Sequence, residues 1–244
     1  MFPILFRTDF GFITTFSAVW LSAIIACIWL LWRRHPSYTG WDALIASVVG
    51  ALILGRAQFV WENAEWFAEN PAARWNIFQG GHSYAGVILG ALLGLSLWAI
   101  VTQGDRKQIL APLTLCLPLL HFAGWAACWF DGCGYGESAF IGWSTAELPN
   151  NFGLMAVRVQ TQLFGMLLAL IVGLVIWWMF RSTLDREPTT KHFWFCLAIF
   201  SISRAAIYQW QGNTVPLWGN IRSDMVLTAL IGLFAVLFAW RAKN

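Results

Sequence analysis

The chain has 244 residues, of which 59% are hydrophobic and only 11% charged. Soluble globular chains carry about 45–50% apolar and about 25% charged residues, so this composition reads as an integral membrane protein and excludes a disordered, collagenous or disulfide-stapled chain. A net charge of +3 is too mild for a face that neutralises nucleic-acid phosphates, and the length points to one helical domain over residues 1–244.

Crossing the hydrocarbon core takes roughly 20 apolar residues. Seven segments qualify, at 12–32, 43–61, 82–101, 109–130, 159–180, 193–210 and 225–240, the last being short. The first is followed by Arg33 and Arg34 rather than preceded by basic residues, so it reads as a retained span and not a cleaved signal peptide. Arg106 and Lys107 follow the third span, Arg181, Arg186 and Lys191 the fifth, and Arg241 and Lys243 the seventh. The opposite loops hold Arg7, Arg74 and Arg222, with Arg158 at a membrane edge. Basic residues favour the cytoplasmic side, which gives an all-α, seven-helix polytopic protein with its N-terminus outside and its C-terminus inside. The outer loops are longer and more acidic, with Glu62, Glu65, Glu69, Asp131, Glu137, Glu147 and Asp224.

Tryptophan is abundant, at 17 residues. Trp32, Trp41, Trp61, Trp66, Trp75, Trp177, Trp178, Trp210, Trp218 and Trp240 fall at or near the ends of apolar runs, where amphipathic rings meet lipid headgroups. Trp20, Trp29 and Trp98 sit inside runs and read as bulk.

Charge inside a span costs about 2.5–3.5 kcal/mol on insertion scales and marks function by default. Arg56 in the second span and Arg204 in the sixth fall in the outer half of the bilayer, and Arg158 opens the fifth span at the same side. Guanidinium binds phosphate with planar, bidentate geometry, so three such groups at one depth suit a lipid phosphate. The plainer reading is structural ion pairs or snorkelling side chains.

The third span opens with Gly80-Gly81-His82-Ser83-Tyr84-Ala85-Gly86. The glycine pair allows backbone to approach a ligand closely. Gly86, Gly90 and Gly94 form a smooth stripe that lets another helix pack close. His82 at the outer end of that stripe reads either as a base near neutral pH or as an interfacial hydrogen bonder. His121 lies mid-membrane and reads as a buried interhelical hydrogen bonder. His35 and His192 are ordinary loop residues, while Gln160 and Gln162 lie beside Arg158 and suit a polar pocket.

The five cysteines read as core filler more than a disulfide framework. Cys128 and Cys133 lie in a glycine-dense outer turn through Glu137, where they can pair, act singly or pack. A C-x4-C spacing without further ligands is weak evidence for a metal, and neither metal nor cofactor is expected.

The order of these motifs resembles the prolipoprotein diacylglyceryl transferase family of bacterial inner membranes. Gly55-Arg56 is similar to that family's Gly-Arg, and Phe78 through Gly86 resembles its W-x-G-G-M-S-F-H-G segment. Gly124 through Gly136 resembles its G-R-L-G-N-F-I-N-G-E-x-x-G signature, and Arg158 through Phe164 its R-H-P-S-Q-L-Y. Arg204 matches the arginine of its F-R-x-x-x-E region. Departures from the pattern are Ala85 for the family's histidine, Trp125 for its signature arginine, Cys128 and Asp131 for its two asparagines, Cys133 for its glutamate, Tyr208 for the glutamate after the span-six arginine, and Phe16 near the first-span aromatic, without its hydroxyl.

The resemblance implies transfer of a diacylglyceryl group from phosphatidylglycerol to the lipobox cysteine of a prolipoprotein. The implied partners are the phospholipid and the prolipoprotein signal peptide. Arg56, Arg158 and Arg204 would hold phosphate and His82 would take the thiol proton, with His121 or Asp131 as second choices for that role. Tyr84 and Tyr135 would hydrogen-bond the lipid head, with Gly80, Gly81, Gln162 and Asp131 completing the substrate-binding set. The other reading is a non-catalytic member of the same fold that binds an anionic phospholipid or a partner.

Overall fold

The computed structural model describes residues 4–8, 11–34, 40–75, 81–150, 153–180 and 187–242, with side chains from residue 14 onward. Phe78, Gly80, His35, Arg181, Arg186 and Lys243, all named above, lie outside the described residues.

The chain is a mostly helical polytopic membrane protein. In chain order it has β1 (Ile4–Thr8), β2 (Gly11–Thr14), α1 (Thr15–Arg34), α2 (Trp41–Glu62), α3 (Ala64–Glu69), a 3-10 turn at Pro71–Trp75, α4 (Tyr84–Thr102), α5 (Arg106–Leu113) and α6 (Leu117–Asp131). There follow β3 (Thr145–Pro149), β4 (Met155–Val159), α7 (Thr161–Phe180), α8 (Thr190–Ile207), a 3-10 turn at Tyr208–Trp210, β5 (Leu217–Trp218), β6 (Ile221–Arg222) and α9 (Ser223–Arg241). Among the described residues five helices are long and apolar enough to cross a membrane, namely α1, α2, α4, α7 and α9. They cover the first, second, third, fifth and seventh expected segments.

The other two segments differ from expectation. The fourth is a bent pair, α5 and α6, broken between residues 113 and 117. Pro112 lies inside α5 and Pro118 in the first turn of α6. A proline inside a helix removes an amide donor and clashes with the preceding turn. The sixth segment falls on α8 and the turn after it. Carrying Lys191 and Arg204, α8 is not among the five. The helical expectation holds, and among the described residues three short antiparallel hairpins, β1–β2, β3–β4 and β5–β6, occupy stretches read as loops or span ends.

Two compact units separate. One comprises Met1–Pro36, Pro112–Pro188 and Ala206–Thr214, the other Ser37–Ala111, Thr189–Ala205 and Val215–Asn244. In the first, α6 packs against α1 and α7. Trp125 is buried there, and a methyl built on Gly165 of α7 would lie 2.1 Å from its indole. In the second, α2 and α4 form the dominant pair. The Gly86, Gly90 and Gly94 stripe lies directly on the α2 backbone, facing the carbonyls of Leu54, Gly50 and Ala46 in turn. Every tryptophan assigned above to the headgroup belt is exposed on the protein, from Trp41 at 37% to Trp240 at 82%.

Candidate functional site

In the second unit, Arg56 comes from the C-terminal part of α2 and is buried, at 3% exposure. Burial without partners would be costly, and its guanidinium is met by main chain. Nε donates to the Arg74 carbonyl at 2.9 Å, one terminal nitrogen to Ala73 at 2.6 Å and the other to Gly81 at 3.2 Å. Its carbon centre lies 5.2 Å from the Phe67 ring centroid and 5.6 Å from that of Phe59. Arg56 therefore fastens the segment after α3 and the glycine ahead of His82. Gly81 has φ +73°, and a methyl there would strike Phe59 and Arg56, so only glycine suits this turn.

His82 lies just ahead of α4, with its ring edge against Gly55 of α2. Its Nε2 is buried and has no hydrogen-bond partner among the described residues. Burial, together with the positive charge of Arg56, holds the imidazole below the usual histidine range. The following Ser83 donates its amide to Gly55 O at 3.0 Å. Its hydroxyl donates to Glu62, whose other carboxylate oxygen accepts from Gln58 at 2.6 Å. Glu62 was expected to be an acid of an outer loop. It instead closes α2, and only the i, i+4 spacing from Gln58 hinted at that engagement.

Arg204 sits half-buried in the last turn of α8, where the helix dipole favours a cation. Its guanidinium stacks on the Tyr84 ring at 4.6 Å, and the Tyr84 hydroxyl lies 3.2 Å from that of Ser201. Arg56, Gly81, His82, Tyr84 and Arg204 thus belong to one unit, on neighbouring segments of α2, the α4 start and α8.

The first unit holds Arg158, Tyr135, Gln162 and Asp131 of the expected set. Cys128 and Cys133 are disulfide-bonded, which decides among the alternatives left open by the sequence. Arg158 on β4 is buried and stacks on Tyr135 at 4.9 Å. One of its terminal nitrogens donates to the Gly136 carbonyl at 3.3 Å, and its buried Nε has no partner among the described residues. Gln162 donates to the Cys133 carbonyl at 3.0 Å and Thr161 to that of Gly134 at 2.7 Å. The glycine turn therefore presents carbonyls to α7 and β4. Asp131, the last residue of α6, is exposed. His121 is buried, with Nδ1 3.0 Å from the Leu117 carbonyl of its own helix.

The sequence pattern of the prolipoprotein diacylglyceryl transferase family matches residues 3–241. The chain belongs to that family. A phosphatidylglycerol–prolipoprotein diacylglyceryl transferase of Dechloromonas aromatica (strain RCB) is 24% identical over 212 residues, covering 83% of this chain and 79% of the relative. One from Acinetobacter baumannii (strain SDF) is 23% identical over 240 residues, covering 89% and 85%. One from Janthinobacterium sp. (strain Marseille) reaches 31% over a shorter stretch of 95 residues, 34% of this chain and 36% of the relative.

Set against the family pattern, the departures now have physical forms. Trp125 replaces an arginine with a buried indole seated on Gly165. Ala85 is buried at the α4 start. The asparagine and glutamate of the family signature are replaced by one covalent bridge, Cys128–Cys133. That bridge closes a short loop, with a sequence separation of 5, so the chain-entropy relation assigns it roughly 2 kcal/mol. Reduction, or Cys128→Ser with Cys133→Ser, is expected to lower the thermal midpoint by a corresponding few degrees, read by scanning fluorimetry in detergent with and without a reductant.

Proposed function

We propose that the chain transfers the diacylglyceryl group of phosphatidylglycerol to the cysteine thiol of a prolipoprotein, in the bacterial inner membrane. The observation that carries this reading is the family match across nearly the whole chain. The seven-span topology, N-terminus outside and C-terminus cytoplasmic, is part of the proposal. It counts α8 and the bent α5–α6 pair as crossings beside the five long apolar helices. The Cys128–Cys133 bridge supports an outer position for its turn, because disulfides persist in oxidising compartments such as the periplasm.

The chemistry is a displacement at carbon. The thiolate sulfur forms a bond to the glyceryl carbon, the bond from that carbon to the phosphate oxygen breaks, and glycerol phosphate leaves with the electron pair. His82 takes the thiol proton. Arg204 stabilises charge growing on the leaving phosphate, where a preorganised cation acts best. Arg56 adds positive potential and holds the backbone around His82, and it reaches phosphate only where a carbonyl gives way. Tyr84 orients Arg204 and offers its hydroxyl to the lipid head. Within the first unit, taken by itself, Arg158, Tyr135, Gln162 and Asp131 are assigned to substrate binding, and the Nε of Arg158, without a partner among the described residues, supports an anionic ligand.

The sign of the pH dependence follows from His82. Its pKa is lowered by burial and by Arg56, so the neutral base predominates at neutral pH. Transfer is expected to stay flat down to the ordinary histidine range, near about 6.5, and to fall only below it. Arg56 is the charged neighbour that acts on this group. A pH–rate profile of reporter lipidation checks this, and a limb centred above that range contradicts it.

A second reading is favoured by the forms of the departures. A buried Trp125, a buried Ala85 and the disulfide remove polar groups that the family pattern carries. A member altered in this way can retain phospholipid binding without turnover. Complementation of a transferase-depleted bacterium separates the two. Restored lipidation of a reporter lipoprotein is the expected result. Absent lipidation, with the protein in the membrane and phosphatidylglycerol co-purifying, selects the binding-only reading.

A further inference from the structure

Glu62 is unusual for the end of a membrane helix, because both of its carboxylate oxygens are engaged by neutral donors from within the same unit. One accepts from Gln58, a turn earlier on α2, at 2.6 Å. The other accepts from the hydroxyl of Ser83. Ser83 is the N-cap of α4, yet its side chain makes no capping bond. A serine at that position ordinarily turns its oxygen to the first amides of the helix and stabilises it by about 1 kcal/mol. Here the hydroxyl serves Glu62 instead. A carboxylate accepting such bonds is held more strongly than a neutral pair would be, and a half-buried one is costly if the fold alone is served.

The residue this arrangement brackets is His82. On one side Gly81 is fastened by Arg56 through its carbonyl at 3.2 Å. On the other, Ser83 is fastened twice, by its amide to Gly55 at 3.0 Å and by its hydroxyl to Glu62. Between them the imidazole lies against Gly55, with its Nε2 buried and without a partner among the described residues. Arg222 and Asp224 at the start of α9, paired at 2.8 Å, are the further charged groups that act on Glu62.

We propose that Glu62 is a positioning residue for His82, fixing Ser83 so that the imidazole keeps its buried nitrogen open for the thiol proton. The proposal rests on the assignment of His82 as the base. Glu62 touches neither substrate nor reacting atoms. It acts by holding the residue next to the base, where small displacements of a reacting group have large rate effects.

The test uses the full chain in nanodiscs containing phosphatidylglycerol, with Glu62→Ala, Glu62→Gln and Ser83→Ala. One readout is the rate of His82 acylation by diethyl pyrocarbonate, followed by peptide mass spectrometry, which needs no turnover. The other is transfer to a lipobox peptide. Glu62→Ala and Ser83→Ala are each expected to raise His82 acylation severalfold and to lower kcat by about 10- to 100-fold, with KM for phosphatidylglycerol unchanged. Glu62→Gln keeps an oxygen acceptor for Ser83 and is expected to stay near wild type in both. Wild-type acylation rates in Glu62→Ala and Ser83→Ala overturn the proposal, as does Glu62→Gln behaving like Glu62→Ala. If Glu62→Ala fails to fold, Ser83→Ala decides alone. Absence of transfer by the wild type overturns the assigned reaction, while the acylation readout still decides the role of Glu62.

Discussion

Replacing Arg204 with alanine is expected to lower kcat for diacylglyceryl transfer by about 100- to 1,000-fold, the loss that follows removal of one preorganised group from a developing anion. The effect depends on rigidity. Arg204 lies in the last turn of α8, and its guanidinium plane rests on the Tyr84 ring at 4.6 Å. That ring is set in turn by the first turn of α4 and by its hydroxyl at 3.2 Å from Ser201. A cation held in this way needs little reorganisation when charge appears on the leaving phosphate. Arg204→Lys restores a point charge but neither the planar fork nor the stack, so it is expected to recover only part of the loss. Tyr84→Phe keeps the ring under the guanidinium and is expected to cost far less than either. The measurement is single-turnover lipidation of a lipobox peptide in phosphatidylglycerol nanodiscs. Activity of Arg204→Ala within a few fold of wild type, with the protein folded, removes Arg204 from the chemistry.

The legibility of this chain in its sequence was uneven, for physical reasons. The long apolar helices announce themselves because a crossing needs a near-continuous run, and α1, α2, α4, α7 and α9 fall where runs of that length occur. The break between α5 and α6 was hidden, because averaging hydropathy passes smoothly over Pro112 and Pro118, although both residues signal it once the helix is considered turn by turn. The β3–β4 hairpin escaped because Thr145–Pro149 and Met155–Val159 are short and sit between spans, where no hydrophobic periodicity competes with the neighbouring helices. In the candidate site, the buried arginines stood out by type and depth. Their partners did not. The contacts of Arg56 are with carbonyls of Ala73, Arg74 and Gly81, and of Arg158 with that of Gly136. Main-chain acceptors are present at every residue and leave no mark in a sequence. Glu62 was visible as an acid, but its bond to Ser83 depends on how α2 and the α4 start meet, which only the packing of the glycine stripe determines.

That stripe makes the strongest statement about stability. Gly90→Ala is expected to destabilise the protein by about 3 kcal/mol, the upper end of what an added methylene costs in a packed interior. A methyl on Gly90 would lie 2.1 Å from the Gly50 carbonyl oxygen, 2.6 Å from its carbon and 3.0 Å from the Ala51 Cα. These are backbone atoms of α2, so no rotamer change relieves the clash. The two helices must separate along the stripe, and the contacts of Gly86 with Leu54 and Gly94 with Ala46 loosen with them. Gly50→Ala meets the same obstacle from the other side, 2.2 Å from the Gly90 carbonyl oxygen, and is expected to cost a similar amount. Because both methyls force one and the same separation, the double variant should lose clearly less than the sum, as residues sharing a contact do. Leu89→Ala, on an exposed position of the same helix, serves as the control and should melt within about 1 °C of wild type, as a change away from packed contacts does. Thermal unfolding in detergent, followed by the fraction remaining monodisperse, measures all four. Additive losses in the double variant would mean that each methyl is accommodated locally, and that the close α2–α4 approach is not what holds this unit together.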